Sequence, residues 1–343
     1  MLTTIIIIIF LSILILIHEL GHFLLAKRFG LFVGEFGLGL PPRAWGKKIG
    51  ETIYSINWLP FGGYVKIAGE DGDDEVDKKV PHDRIFYNIA AWKRFTILVG
   101  GVGMNFLFGW MLLSIVFMIG VKPGIFITQV QQDSPAAIAG LHANDRLLDF
   151  ATSQDFVSYT KEHAGEAIPV HVTRGGKEMT LQMTPRKDPP AGQGPLGVVL
   201  GEALGHEKQG VFSAVASGFP GSLDIVKGTF NGLAGLIVSV FEGKGSLDSV
   251  TGPIGIVKVT ADASQAGFIY VLSLMALISV NLAAFNILPF PALDGGRVLF
   301  LAIEKIKGSP LPKKFEQYAN GIGLLLLLGL ILIVSVKDVI RLF

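Results

Sequence analysis

The chain of 343 residues has no cysteine and little charge. Without thiols it can form neither disulfides nor thiolate metal sites. Only 17% of its residues are charged, against about 25% in soluble globular proteins. The net charge of +1 argues against a nucleic-acid partner, because little here could release counterions from phosphates. Apolar residues, by contrast, make up half of the chain, and the mean hydropathy is +0.54. A bilayer core about 30 Å thick takes roughly 20 apolar residues per helix, so spanning segments are the first thing to seek.

Four stretches qualify: residues 2–26, 95–119, 268–288 and 321–336. The first has no basic leader and no small-residue cleavage site, and it carries His18, Glu19 and His22 in its body. It therefore reads as a retained span rather than a cleaved signal peptide. Lysine and arginine mark the cytoplasmic loops. They gather between the first and second spans, from Lys27 to Arg94, and between the third and fourth, from Arg297 to Lys314. Both loops are expected inside, with residues 120–266 and both termini outside.

Between the spans, residues 31–68 are rich in glycine, aromatic and β-branched types, which predicts short strands turning at Pro60 and Gly62-Gly63. Asp71 to Glu75 has the acidic beginning of a calcium loop, but the twelfth position is His82 where glutamate is required. Residues 121–187 predict a small soluble α/β domain. Strands are expected at Ile125 to Val130, Ile168 to Arg174 and Met179 to Thr184, helices at Ser134 to Ala137 and Ser153 to His163. A further strand, Val198 to Leu200, follows the turn Gly194-Pro195-Leu196-Gly197. Residues 211–241 are apolar but interrupted by Pro220, Asp224 and Lys227. Charge within a bilayer is costly, which favours a pair of amphipathic helices on the outer interface over the alternative of a fifth span.

The chemistry centres on His18-Glu19-Leu20-Gly21-His22. On a helix, residues i and i+4 share a face, so both imidazoles can bind one zinc while Glu19 is placed to shuttle a proton from the attacking water to the leaving amine. Three ionisable residues in a membrane helix point to function by default. A catalytic zinc takes three protein ligands and an open fourth position. Asp294 is the best third ligand. It ends the long apolar helix of the third span, in Asn286-Ile287-Leu288-Pro289-Phe290-Pro291-Ala292-Leu293-Asp294-Gly295-Gly296, where the two prolines would kink or unwind that helix. The first and third spans both end inside, so His22 and Asp294 should lie at similar depth. His82, His142, His163, His171 and His206 fall in soluble segments and read as surface residues.

These motifs resemble the site-2 protease family, and within it the regulator-of-sigma-E protease branch (RseP type). His-Glu-Leu-Gly-His in the first span with Asn-x-x-Pro-x-Pro-x-Leu-Asp-Gly after the third is the specific part. Phe61-Gly62-Gly63-Tyr64-Val65-Lys66 is similar to a family motif in a membrane-dipping β-hairpin, and Gly101-Val102-Gly103-Met104-Asn105-Phe106 to the start of the second span. Thr251-Gly252-Pro253-Ile254-Gly255-Ile256 resembles the segment before the third, and residues 121–200 resemble a PDZ domain. The resemblance implies His18, His22 and Asp294 as ligands of Zn2+ and Glu19 as general base. It also implies Asn286, Pro289, Pro291, Gly62, Gly63 and Tyr64 as residues that hold an unwound substrate. Asn105 and Gly103 fit either close helix packing with a buried hydrogen bond or a role at the site. The branch resembled carries two PDZ domains in tandem, whereas this chain has room for one.

The expected fold is a polytopic α-helical membrane protein with four transmembrane helices, a membrane-associated β-hairpin and one α/β PDZ-like domain. Residues 1–119 would form the N-terminal membrane half and 120–205 the extracytoplasmic PDZ-like domain. Residues 206–266 would form the interfacial segment and 267–343 the C-terminal membrane half. The expected function is an intramembrane zinc endopeptidase of a bacterial inner membrane, its active site towards the cytoplasm. Its substrates would be single-span proteins of the anti-sigma-factor or remnant-signal-peptide type, and its PDZ-like domain would take a peptide C-terminus. The alternative is a non-catalytic membrane receptor that binds peptides through the PDZ-like domain.

Overall fold

The computed structural model describes residues 2–70, 80–120, 124–150, 152–190, 193–203, 207–242 and 252–342. Asp71 to Glu75, His206 and Thr251 lie outside them. In chain order the elements are α1 (Leu2–Arg28), β1 (Val33–Ile49), β2 (Thr52–Ile67), α2 (Ala91–Ile119), β3 (Gly124–Val130), α3 (Pro135–Ile138), β4 (Arg146–Leu147) and α4 (Ser153–Glu162). They continue with β5 (Ile168–Arg174), β6 (Lys177–Met183), β7 (Val198–Ala203), α5 (Val211–Phe241), α6 (Pro253–Ala266), α7 (Phe268–Asn286), α8 (Asp294–Lys307) and α9 (Lys313–Leu342). Packing separates two units. One comprises Met1–Leu113, Gly218–Ala261 and Leu272–Phe343, the other Ser114–Ser217 and Asp262–Val271.

Four helical segments among the described residues are long and apolar enough to cross a membrane: Ile9–Arg28, Ala91–Ile119, Phe268–Asn286 and Lys313–Ile340. They match the four spans read from the sequence. The fourth runs longer because its polar first turns continue one helix. Lipid offers helices no hydrophobic reason to associate, so contact depends on small residues and buried polar bonds. The first unit uses both. A Cβ on Gly21 of α1 would lie 2.2 Å from the carbonyl oxygen of Gly100, and one on Gly109 of α2 would lie 2.5 Å from Val280 Cγ2 of α7. Ser279 Oγ of α7 donates to the Asn105 carbonyl of α2 at 2.8 Å. Thr229 of α5 donates to Asn281 Oδ1 of α7 at 2.5 Å.

β1 and β2 form an antiparallel hairpin that closes between Ile49 and Thr52, then folds over on itself. Residues 35–38 pair with 53–56 on one side and with 63–66 on the other. The bend falls at Gly39 and Gly62, whose φ values of +80° and +87° suit glycine. Pro60 and Gly62-Gly63 thus mark the bend, while the chain reversal lies at Gly50-Glu51. Inside the bend the buried Glu35 carboxylate accepts from Ser55 Oγ (2.6 Å), the Tyr64 hydroxyl (2.7 Å) and Arg43 Nη2 (2.6 Å). Burial alone would raise its pKa, but these donors outweigh it and hold the carboxyl below the usual range. At the hairpin's end, Glu51 accepts from Arg84 and Lys27, both at 2.7 Å, and these bonds pull its pKa down to about 2.

Residues 211–241 form one continuous helix, α5, and not the expected pair. Pro220 sits inside it. It leaves the Ala216 carbonyl without its usual amide donor, yet the helix continues to Phe241. Asp224 and Lys227 do not interrupt the helix, because they pair with each other at 3.1 Å.

The second unit carries a five-stranded antiparallel sheet in the order β6-β5-β4-β3-β7. Apart from the short β4, its elements fall within a few residues of where the sequence pattern predicts them. Alternating residues Ile125, Ile127, Val170 and Val172 pack with Leu147, Phe156 and Leu196 in one core. Ser134 caps α3 by accepting from the Ala137 amide. Thr152 and Asp155 form a capping box on α4. Asp145, fully buried, is met by Arg174 through Nε (2.7 Å) and Nη2 (2.6 Å) and by the His142 amide (2.9 Å).

Candidate metal centre

Two helices bring the ligands together. His18 and His22 lie one turn apart on α1, and Asp294 is the first residue of α8. The sequence reading had Asp294 ending the third span. Instead α7 stops at Asn286, and an irregular segment reverses the chain before α8 begins. That segment is tight. Leu293 donates to the Phe290 carbonyl at 3.1 Å, and Ala292 has φ +76°. Cβ atoms on Gly295 and Gly296 would each lie 2.2 Å from carbonyl oxygens, those of Leu288 and Phe290. Only glycine permits Asp294 to sit there. Asn320 of α9 secures the segment by accepting from the Ala292 amide at 3.0 Å.

His18 Nε2 and His22 Nε2 are 3.2 Å apart, and Asp294 Oδ2 lies 3.1 Å from the first and 3.4 Å from the second. Tetrahedral zinc with bonds of about 2.0–2.1 Å places its ligand atoms roughly 3.3 Å apart, so the triangle fits that ion. The chemistry of the donor set agrees. The His22 Nδ1 lies 2.8 Å from the Ile97 carbonyl oxygen, which can only accept. Nδ1 therefore carries the proton and Nε2 turns its lone pair inward, the tautomer of a metal ligand. The side chains are 12%, 7% and 17% exposed for His18, His22 and Asp294. A largely buried carboxylate facing the inward lone pair of His22 needs a cation. Among the described residues this is the one group of three that could hold a metal.

α2 walls the site. A Cβ on Gly101 would lie 2.3 Å from His22 Nε2 and 2.7 Å from His18 Cε1, so the imidazoles occupy space that any other residue would fill. Sequence reasoning listed Gly101 only as part of a motif, and nothing in the sequence says what it faces. Gly103 meets nothing within 4 Å, so close packing is not its role. The folded hairpin borders the site on the Glu19 side. Ser12 Oγ of α1 donates to the Pro60 carbonyl at 2.9 Å, and a Cβ on Gly63 would lie 3.6 Å from Glu19 Cγ. Gly62 is at the bend, and the Tyr64 hydroxyl is turned inward to Glu35. Asn286 ends α7, and Pro289 and Pro291 lie in the segment leading to Asp294. His82, His142 and His171 are exposed, and the His163 ring stacks on Tyr159.

Beyond Asp294, α8 is tied to its neighbours by ion pairs. Arg297 donates to Glu70, and Arg94 Nη1 to Glu304 at 2.9 Å. On α9, Glu316 accepts from the Tyr87 hydroxyl at 2.7 Å. Burial, reinforced by Glu316, pushes the Tyr87 hydroxyl well above the usual phenol range.

The model of peptidase family M50 matches residues 6–330. A Fusobacterium nucleatum protein provisionally named a zinc metalloprotease is 35% identical, with 99% of each chain covered. The "Regulator of sigma-W protease RasP" of Bacillus subtilis is 29% identical over 99% of each chain, and the "Zinc metalloprotease RasP" of Geobacillus kaustophilus 29% identical over 96% of each.

Proposed function

We propose, from the premise that this chain belongs to peptidase family M50 and is a multi-pass bacterial membrane zinc metalloendopeptidase of the site-2 protease type, that it cleaves the transmembrane segments of single-span membrane proteins. The observation that supports this reading is the ligand triangle itself, with His18 and His22 on a helix apolar enough to cross a bilayer and Asp294 eight residues beyond the end of another, α7. A peptide bond reaching it comes to membrane depth. Anti-sigma factors and remnant signal peptides, already stripped of their outer domains, are the substrate class. A relative named for regulating sigma-W supports the first. A purely peptide-binding receptor has no use for these ligands.

His18, His22 and Asp294 would hold the zinc, which when bound polarises the scissile carbonyl and acidifies water. Glu19 receives a proton from the attacking water on a carboxylate oxygen and delivers it to the nitrogen of the leaving peptide. A helical substrate must first unwind, and its freed amides and carbonyls need new partners. The hairpin edge from Gly63 to Lys66 offers them by adding the substrate as a strand beside Glu19. Asn286, Pro289 and Pro291 hold the substrate from the opposite segment. The positive loops support a topology with the hairpin and α8 in the cytoplasm and residues 120–205 outside. That segment acts as a PDZ-like domain. Its edge strand β7 has α4 packed beside it, and the turn Gly194 to Gly197 leads into β7, the arrangement that receives a peptide C-terminus.

The test is reconstitution of wild-type and Glu19→Gln proteins in vesicles with a single-span substrate, the products mapped by mass spectrometry. Wild type should cut within the membrane segment, and Glu19→Gln should keep zinc but lose activity about 10²–10⁴-fold. Cleavage confined to the soluble parts of the substrate would overturn the intramembrane reading.

A further inference from the structure

His22 has its tautomer set by a backbone carbonyl; His18 has a different partner. Asn105 of α2, fully buried, places Nδ2 3.3 Å from His18 Nδ1, and its Oδ1 is buried without a hydrogen-bond partner. The spacing on α2 makes this contact systematic. α1 and α2 run antiparallel, so His22 meets Ile97 and Gly101, and His18, one turn back, meets Gly101 and Asn105. Gly101 and Asn105 are themselves one turn apart on a single face.

For packing alone, asparagine is a poor choice here. Half of its carboxamide is unsatisfied in an apolar interior, and a leucine would avoid that penalty. Chemistry then decides which amide atom serves. If an N–H donated to His18 Nδ1, the ring's own proton would sit on Nε2, pointing at Asp294 and closing the lone pair that a metal needs. Amide oxygen and nitrogen are near-isosteric, so the geometry fixes which side chains meet and the required tautomer fixes which atom faces the ring.

We infer that Asn105 is the positioning residue for His18: its side-chain oxygen accepts the Nδ1 proton, so that Nε2 is held as a zinc donor. The inference rests on the zinc-protease reading above. Asn105 touches neither substrate nor metal; it acts through His18. Its backbone carbonyl is held separately by Ser279 Oγ at 2.8 Å, so a side-chain change leaves that link to α7 intact.

The experiment measures zinc affinity by chelator competition in detergent, with the absorption of the cobalt-substituted protein, for wild type, Asn105→Asp and Asn105→Leu. Loss of such a partner lowers metal affinity by about 10–100-fold. Asn105→Leu should show that loss with an altered cobalt spectrum while thermal unfolding stays near wild type. Asn105→Asp, which offers oxygen acceptors only, should bind at least as tightly as wild type with the same spectrum. Wild-type affinity in Asn105→Leu would overturn the inference, and so would an Asn105→Asp as weak as the leucine variant. If the leucine variant fails to fold, Asn105→Asp decides alone: retained affinity supports the oxygen acceptor and lost affinity refutes it. A wild type that binds no zinc would instead sink the reading on which the inference rests.

Discussion

Alanine at position 101 would set a methyl group 2.3 Å from the nitrogen with which His22 reaches the metal, and 2.7 Å from Cε1 of His18. Ordinary contacts between such atoms are 3.4 Å or more, so one side must give by about 1 Å. Metal ligands hold their distances to about ±0.2 Å. A shift five times larger therefore removes His22 from the coordination sphere. Retreat of α2 would instead pull apart the close backbone approach at Gly21 and Gly100, where a Gly100 Cβ would lie only 2.9 Å from the Gly21 carbonyl oxygen. Zinc affinity should fall by more than the roughly 100-fold upper range seen when only a supporting residue is lost, and cleavage should fall with it. Gly103→Ala is the control, two residues along the same helix with open space around its Cβ. Removing a helical glycine there should stabilise by about 0.5–1 kcal/mol and leave zinc in place. Metal analysis of both variants after the same purification reads the difference. A Gly101→Ala protein with full zinc and activity would refute the packing argument.

Other perturbations test other parts of the structure. Asp145→Ala removes the partner of the His142 amide and leaves the partly exposed Arg174 only its bond to the Gly140 carbonyl, so the second unit should lose about 1–3 kcal/mol, visible as early protease cutting between residues 124 and 203 in a thermal series. Asn320→Ala releases the Ala292 amide and loosens the turn that delivers Asp294. Zinc should then dissociate about tenfold faster, with little change in thermal stability. Glu51 has a folded pKa of about 2 against an ordinary 4.5. Its contribution is complete above the ordinary value and disappears as pH falls towards 2. The gap in thermal stability between wild type and Glu51→Gln should accordingly be constant near neutrality and close below about pH 4.5. A gap that widened on acidification would contradict the assigned bonds to Arg84 and Lys27.

The sequence carried the ligands because a helix converts spacing directly into geometry. His18 and His22 had to share a face, and loop charge put Asp294 at the same depth. The strands from Ile125 to Ala203 were legible for the same kind of reason, since alternation and glycine turns are local. What stayed hidden depends on distant partners. Asn105 meets His18 across 87 residues, and Ile97 meets His22 across 75. The role of Gly101 exists only once α2 is laid against α1. The hairpin's fold-over requires residues 35–38 to pair twice, which no alternation pattern encodes. The apparent break at residues 211–241 misled because Asp224 and Lys227 pair with each other along the helix and Pro220 sits inside it without ending it. The prolines after α7 pointed to an irregular end, but not to Asp294 opening a new helix on two obligatory glycines.

Zinc content by mass spectrometry on detergent-purified protein, wild type beside Asp294→Ala, tests the central claim most directly. The three-ligand site predicts about one zinc per chain in the wild type and a sharp loss in the variant. A wild type that holds no zinc after reconstitution, or a variant that keeps it fully, would contradict the account.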